Sequence, residues 1–202
     1  MQKIINNSLI EILNEQKIYP VLRGKEKDTI IKNVRALKSA GIKLVEINVD
    51  SPQIYEAIEE VSSEIKVCAG GVITLLQAET AINCGARLFS SPILQPNLLK
   101  FSKNRHLPYI AAATTANEAY SAWKLRIPLI RLYPVTAMGG VTYLEDILRP
   151  MPFLNILPAG NIKLNEMNSY LNAGAVAVGV GRDLFQNCSP EKIIQKLSSA
   201  LR

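Results

Sequence analysis

The sequence predicts an α/β fold: a (β/α)8 barrel forming one domain over residues 1–202, preceded by a short N-terminal helix. Three observations predict it. Short, β-rich apolar runs alternate strictly with longer segments of helical period, and parallel strands need such crossover helices. The alternation repeats eight times, which suits a barrel at the compact end of its size range. Finally, "SAGIKLVEI", "NCGARLFSS" and "NAGAVAVGV" each end a helix on glycine and enter a strand within two residues. Gly41, Gly85 and Gly174 therefore fit the left-handed position that closes a helix. A flavodoxin-like open sheet is the alternative architecture, but it usually needs only five strands.

The elements follow in order. "MQKIINNSLIEILNEQKIY" is amphipathic, with polar residues interrupting each apolar run, and reads as a capping helix rather than a signal peptide. "IYPVLR" is the first strand, followed by a helix through "KDTIIKNVRALKSAG" with Ile30, Val34, Leu37 and Ala40 on one stripe. The remaining strands are "KLVEINV", "IKVCAGG", "ARLFSS", "LPYIAAA", "IPLIRLYPV", "LNILPAG" and "AVAVGVG". Between and after them lie helices "PQIYEAIEEVSS", "LLQAETAINCG", "QPNLLKFSKNR", "ANEAYSAWK", "GVTYLEDILR", "KLNEMNSYLNAG" and "SPEKIIQKLSSAL".

Composition narrows the function. The net charge is +6, but the cations are dispersed, with no basic run interleaved with aromatics, so nucleic acid is a poor partner. A small anionic ligand makes better use of a mild positive bias. No apolar run approaches the ~18 residues that span a bilayer, and the chain is expected in the cytoplasm. Cys68, Cys84 and Cys188 show no CxxC spacing and suggest neither a disulfide framework nor zinc. Glu46 with Asp50 is thin for a divalent metal, so no cofactor or metal is expected. The single histidine, His106, stands at the start of a strand and reads as structural.

In such barrels chemistry sits at the C-terminal strand ends. In order, those ends supply Arg23; Glu46, Asn48 and Asp50; Gly70 and Gly71; Ser90, Ser91 and Pro92; Thr114 and Thr115; Arg131, Tyr133 and Thr136; Gly160 and Asn161; and Gly179, Gly181 and Arg182. Side chains alternate along a strand. In "LVEIN" and "LIRLY" the apolar pairs suit the helix layer, which turns Glu46 and Arg131 into the barrel. Opposite charges there are expected to pair, with hydrogen bonds from Tyr133, Asn48 or a ligand. The glycine-rich ends "AGNIK" and "GVGRD", with Lys163 and Arg182, form a candidate anion site. Asp50 and Thr136 are expected to cap helices.

The ordered segments "PVLRG", "AGIKLVEIN", "VCAGGVI", "LFSSPIL", "IRLYPV", "LPAGNI" and "AVGVGRDLF" resemble the 2-keto-3-deoxy-6-phosphogluconate (KDPG) / 4-hydroxy-2-oxoglutarate (KHG) aldolase family, from about residue 10 onward. The resemblance implies a homotrimeric TIM barrel of the class I aldolase type. It also implies a strand-6 lysine that forms a Schiff base with the keto acid and a strand-2 glutamate that shuttles protons. A threonine in "GAGT" holds the carboxylate, and glycines with a serine at strands 7 and 8 hold phosphate. Carried over residue by residue, Glu46 falls on the acid/base glutamate and Arg131 on the Schiff-base lysine. Arginine stays protonated in proteins and cannot be that nucleophile. Gly71 falls on the "GAGT" threonine, Ala111 and Ala112 on a "PG", Asp50 on an arginine, Asn161 on the second strand-7 glycine, and Arg182 on the strand-8 serine.

The primary expectation is thus a divergent family member that binds a small keto-acid or phosphorylated metabolite, the family's Schiff-base chemistry being lost. The alternative is an active lyase releasing pyruvate from a keto-deoxy (phospho)sugar acid or 4-hydroxy-2-oxoglutarate, through a metal or a displaced amine such as Lys163. A non-catalytic partner subunit is a third reading. The ligand-binding set expected from the strand ends is Arg23, Gly71, Ser91, Pro92, Tyr133, Gly160, Asn161, Lys163, Gly181 and Arg182.

Overall fold

The computed structural model describes residues 2–201, with side chains from position 8. Eight strands, β1 (Ile18–Leu22), β2 (Leu44–Asn48), β3 (Lys66–Gly70), β4 (Leu88–Ser91), β5 (Tyr109–Ala113), β6 (Leu129–Leu132), β7 (Ile156–Pro158) and β8 (Val178–Val180), all pair in parallel. Their order is β7-β6-β5-β4-β3-β2-β1-β8. A bridge between Ala159 and Gly179, with Val176 N–H donating to Ile156 O at 3.0 Å, brings the two edges together and closes the barrel. The open-sheet alternative falls with that closure.

Helix α1 (Gln2–Gln16) precedes the barrel, and α2 (Lys27–Ser39), α3 (Gln53–Val61), α4 (Leu75–Asn83), α5 (Pro96–Arg105), α6 (Ala116–Lys124) and α7 (Val141–Leu148) follow successive strands. The helix expected after strand 7 is split into a 3-10 turn at Leu164–Glu166 and α8 (Met167–Asn172); a short α9 (Arg182–Phe185) then precedes α10 (Pro190–Ala200). Gly41, Gly85 and Gly174 hold φ of 86°, 99° and 101°, as their helix ends require. His106 lies three residues before β5, as the left-handed C-cap of α5, rather than opening the strand. Among the described residues no helix is long and apolar enough to cross a membrane.

The barrel interior is layered by alternate strands, as side-chain alternation in a closed sheet demands. Leu44, Leu88, Leu129 and Ala177, at or just before the even strands, and Tyr19, Cys68, Ile110 and Leu157 from the odd strands make one apolar cluster. Leu9 and Leu13 of α1 join that cluster, so α1 stoppers the N-terminal end. Gln16 seals the junction: its amide donates to Ile18 O and Leu44 O, and its oxygen accepts from the Lys43 and Leu44 N–H groups. Two residues further along the even strands stand Glu46, Ser90, Arg131 and Gly179, so polar groups begin where the apolar cluster stops.

Gly179 sits at the closure. A Cβ there would lie 2.8 Å from Ala159 Cβ and 3.2 Å from Pro158 O. Gly179→Ala is expected to cost about 1–3 kcal/mol by overpacking, read as a lower urea midpoint at unchanged m-value. An unchanged midpoint would mean that β7 and β8 are held apart by something other than this contact.

Candidate functional site

Glu46 and Arg131 occupy β2 and β6, on opposite sides of the closed barrel, and their side chains meet across its axis. Arg131 Nη1 donates to Glu46 Oε1 at 2.9 Å, and Nη2 donates to Oε2, completing a bidentate pair. Glu46 is fully buried and Arg131 is 9% exposed. The Ser90 hydroxyl and the Tyr19 phenol both donate to Oε2, at 2.8 and 3.0 Å, and the Cys68 thiol lies 3.8 Å away. With its amide oriented by the hydrogen-bond network, Asn48 donates to Glu46 Oε1 at 3.2 Å and accepts from the Arg23 guanidinium at 2.8–3.0 Å. Gly70 makes this crowding possible: a Cβ there would lie 2.6 Å from Glu46 Cγ.

Burial works against the Glu46 charge, but Arg131, Ser90 and Tyr19 together outweigh it and hold the carboxyl below its usual range. Burial likewise opposes the Arg131 charge, and the facing carboxylate more than offsets it, raising the guanidinium's pKa. Burial first, then the Glu46 charge, pushes the Cys68 thiol up, which makes it a poor nucleophile. Tyr19 is also raised, by burial and then by its Cys68 and Glu46 neighbours. Both oxygens of Glu46 are occupied by donors, so in this arrangement it is an ionised anchor, with no lone pair turned to an incoming proton.

The pairing expected from strand alternation is therefore present, and Asn48 joins it. Tyr133 does not. It is 44% exposed, and its carbonyl accepts from Thr114 Oγ1 at 2.8 Å. Tyr19 and Ser90 supply the hydroxyls instead. Both were legible in principle, since Ser90 shares the inward face with Leu88, and Tyr19 alternates with Pro20. Ser91 faces the other way, where its Oγ accepts from Ile93 N–H at 3.4 Å, and Pro92 lies exposed beyond it.

At the mouth, Arg23 lies 3.6 Å from Asp50 as well as against Asn48. Asp50 thus pairs with a cation and is not a cap; the N-cap of α3 is Pro52. Thr136 opens a 3-10 turn without capping it and lies near the Tyr170 hydroxyl instead. Gly71 has φ 69° beside Asn48. Gly160 and Gly181 are demanded by packing: added Cβ atoms would meet Pro134 Cα at 2.9 Å and Val21 O at 3.0 Å. Beyond them Arg182 Nη1 donates to Asn161 Oδ1 at 3.4 Å, and Lys163 is exposed, its backbone N–H donating to Glu166. The charged groups of the mouth thus form an Arg23–Asp50 pair beside β1 and β2 and an Arg182–Asn161–Lys163 cluster at the ends of β7 and β8.

A closed (β/α)8 barrel with a charged pair on its axis and cations at its mouth defines the class of protein. The family model for KDPG and KHG aldolase matches residues 9–197, and the chain belongs to that family. It is 28% identical over 166 residues to the 2-dehydro-3-deoxy-phosphogluconate aldolase of Haemophilus influenzae, covering 81% of this chain and 78% of that protein. The Treponema pallidum enzyme of the same name is 26% identical over 167 residues, covering 81% and 80%. Among solved structures, a 4-hydroxy-2-oxoglutarate/2-dehydro-3-deoxyphosphogluconate aldolase from TTHB1 superposes with a TM-score of 0.86 at 27% identity, covering 95% of this chain and 96% of that one.

Glu46→Gln would leave a buried guanidinium without its counter-charge and is expected to cost about 3–5 kcal/mol. The double variant Glu46→Met, Arg131→Met should lose less than the single one, measured in a double-mutant cycle by urea unfolding. Because the folded-state pKa of Glu46 is depressed, its stabilisation is fully present above the ordinary glutamate value of about 4.3. It is lost as pH falls through the lower folded value. Unfolding midpoints from pH 6 down to 2 should therefore fall more steeply for the parent than for Glu46→Gln.

Proposed function

We propose that this aldolase-family protein binds a small anionic metabolite, of keto-acid or phosphorylated type, without Schiff-base chemistry at strand 6. One observation carries the reading: the residue clamped on Glu46 in the barrel axis is an arginine, whose charge is fixed. A Schiff base needs an amine that can shed its proton, and burial tunes lysine for that but not arginine. Among the described residues no lysine stands in the barrel interior. Lys163 is exposed beyond β7, and Lys43 and Lys66 stand at the N-terminal ends of their strands.

Binding is supported by donors left over after the pair has formed. Arg131 Nε is buried and has no partner, while Nη1 and Nη2 are committed to Glu46. A guanidinium engaged end-on retains a free side edge, and an oxyanion accepting from it would relieve the unsatisfied donor. Arg182 and Lys163 would hold a second acidic group at the mouth, where Arg23, just past β1, adds a further cation. In this reading Glu46 orients Arg131, and Tyr19, Ser90 and Asn48 hold Glu46 in turn.

Treatment with pyruvate and borohydride, read by intact and peptide mass, is expected to give no adduct, beside a family aldolase that labels under the same conditions. An adduct on any lysine, Lys163 included, would overturn the proposal in favour of a displaced nucleophile. In parallel, inorganic phosphate should raise the melting temperature of the parent, and Arg182→Gln should lose most of that rise. A parent indifferent to both phosphate and pyruvate would defeat the anion-binding half of the reading.

A further inference from the structure

A concavity of about 450 Å3 lies at the other end of the barrel from the mouth, where α6 leads into β6. Its walls include Trp123, Lys124, Arg126, Ile130, Phe153 and Asn155. That volume falls in the range of small-molecule sites. Trp123, the chain's single tryptophan, lies 4.5 Å from Phe153 between ring centroids, with Tyr120 stacked behind it at 5.7 Å. Trp123 and Phe153 nevertheless remain 41% and 47% exposed. A contiguous set of rings left in water marks a contact surface more strongly than scattered apolar residues do.

The cleft is also charged. Lys124 and Arg126 meet no carboxylate among the described residues; Lys124 lies over the Tyr120 ring. A cation at a helix C-terminus is favourable in itself, but that explains neither the ring pair nor the hollow beside it. Arg126 further occupies a left-handed turn with φ 63°. Arg126 N–H donates to Trp123 O at 2.8 Å, and Ile127 N–H to Ala122 O at 3.1 Å. Gly41, Gly85 and Gly174 make the same closure elsewhere in the chain, and glycine is the unstrained residue there. Asn155 Nδ2 donates to Pro128 O at 3.1 Å, which leaves Oδ1 as an acceptor at the rim.

We propose that this cleft binds a planar heteroaromatic anion of nucleotide size. Its ring would lie on Trp123 and Phe153, a ring-borne N–H would donate to Asn155 Oδ1, and its phosphate would accept from Arg126 and Lys124. The site is separate from the mouth and makes no use of the Glu46–Arg131 pair.

Trp123 emission reports on the cleft directly, and AMP is the probe. Titration with AMP is expected to change the emission saturably, with adenosine binding at least about tenfold more weakly for want of the charge-assisted contacts. Arg126→Gly should keep or raise the melting temperature, since glycine suits the turn, yet weaken AMP at least about tenfold. Phe153→Ala should weaken both AMP and adenosine, and Arg182→Gln, at the mouth, should leave the titration unchanged. The proposal is overturned by no saturable response in the millimolar range, by adenosine binding as tightly as AMP, or by AMP binding that survives Arg126→Gly.

Discussion

The bidentate pair between Glu46 and Arg131 is the interaction around which the upper half of the barrel is arranged. Two charges taken from water are costly, and their attraction offsets that cost only when the remaining donors and acceptors are satisfied. The neighbouring residues do this. Ser90 and Tyr19 complete one carboxylate oxygen and Asn48 the other, while Asn48 hands its own oxygen to Arg23. Space is supplied by residues without side chains: Gly70 beside Glu46, and Gly179 as the remaining even-strand member of the layer. A polar layer of this kind cannot be altered at one position without exposing a fault at another.

Most of the architecture was legible because it follows from periodicity. Alternating strands and helices, closed by glycines at Gly41, Gly85 and Gly174, leave few topologies, and alternation in "LVEIN" and "LIRLY" turns Glu46 and Arg131 inward. The site was legible only in part. Ser90 and Tyr19 obey the same alternation, but a serine at a strand end reads as turn chemistry and a strand tyrosine as core. Asp50 and Thr136 read as caps because local hydrogen bonding is all a sequence displays. Their neighbours, Arg23 and Tyr170, come from other βα units and are brought near only by barrel closure. Tyr133 shares a face with Arg131 in register, yet lies past the last paired residue of β6, where the strand rule no longer fixes its direction.

The glycines at the ends of β7 and β8 show how one residue type answers two questions. Gly160 and Gly181 sit where phosphate-binding barrels expose backbone N–H groups, and that position suggests an anion site. Their immediate cause here is steric: neighbouring Pro134 and Val21 leave no room for a Cβ. The packing explanation does not remove the functional one, because a backbone packed this closely also fixes Asn161 and Arg182 at the rim. It does shift the weight of any anion-binding argument from the glycines to the cations, Arg182 and Lys163, whose charges packing does not require.

The same reasoning bears on what an arginine, rather than a lysine, can do at the axis of such a barrel. A lysine at such an axis can be pushed toward neutrality by burial, and a carboxylate beside it can serve acid–base chemistry only while it is free to take and return a proton. Here the neighbour is saturated by donors and held ionised, and its partner's charge is reinforced rather than weakened. Each member of the pair stabilises the charged state of the other. The arginine therefore does more than supply a fixed charge: together with Ser90 and Tyr19 it holds Glu46 as an ionised, fully hydrogen-bonded anchor. At the axis stands a pre-organised guanidinium with an unpartnered edge, a chemistry suited to holding an anion in place.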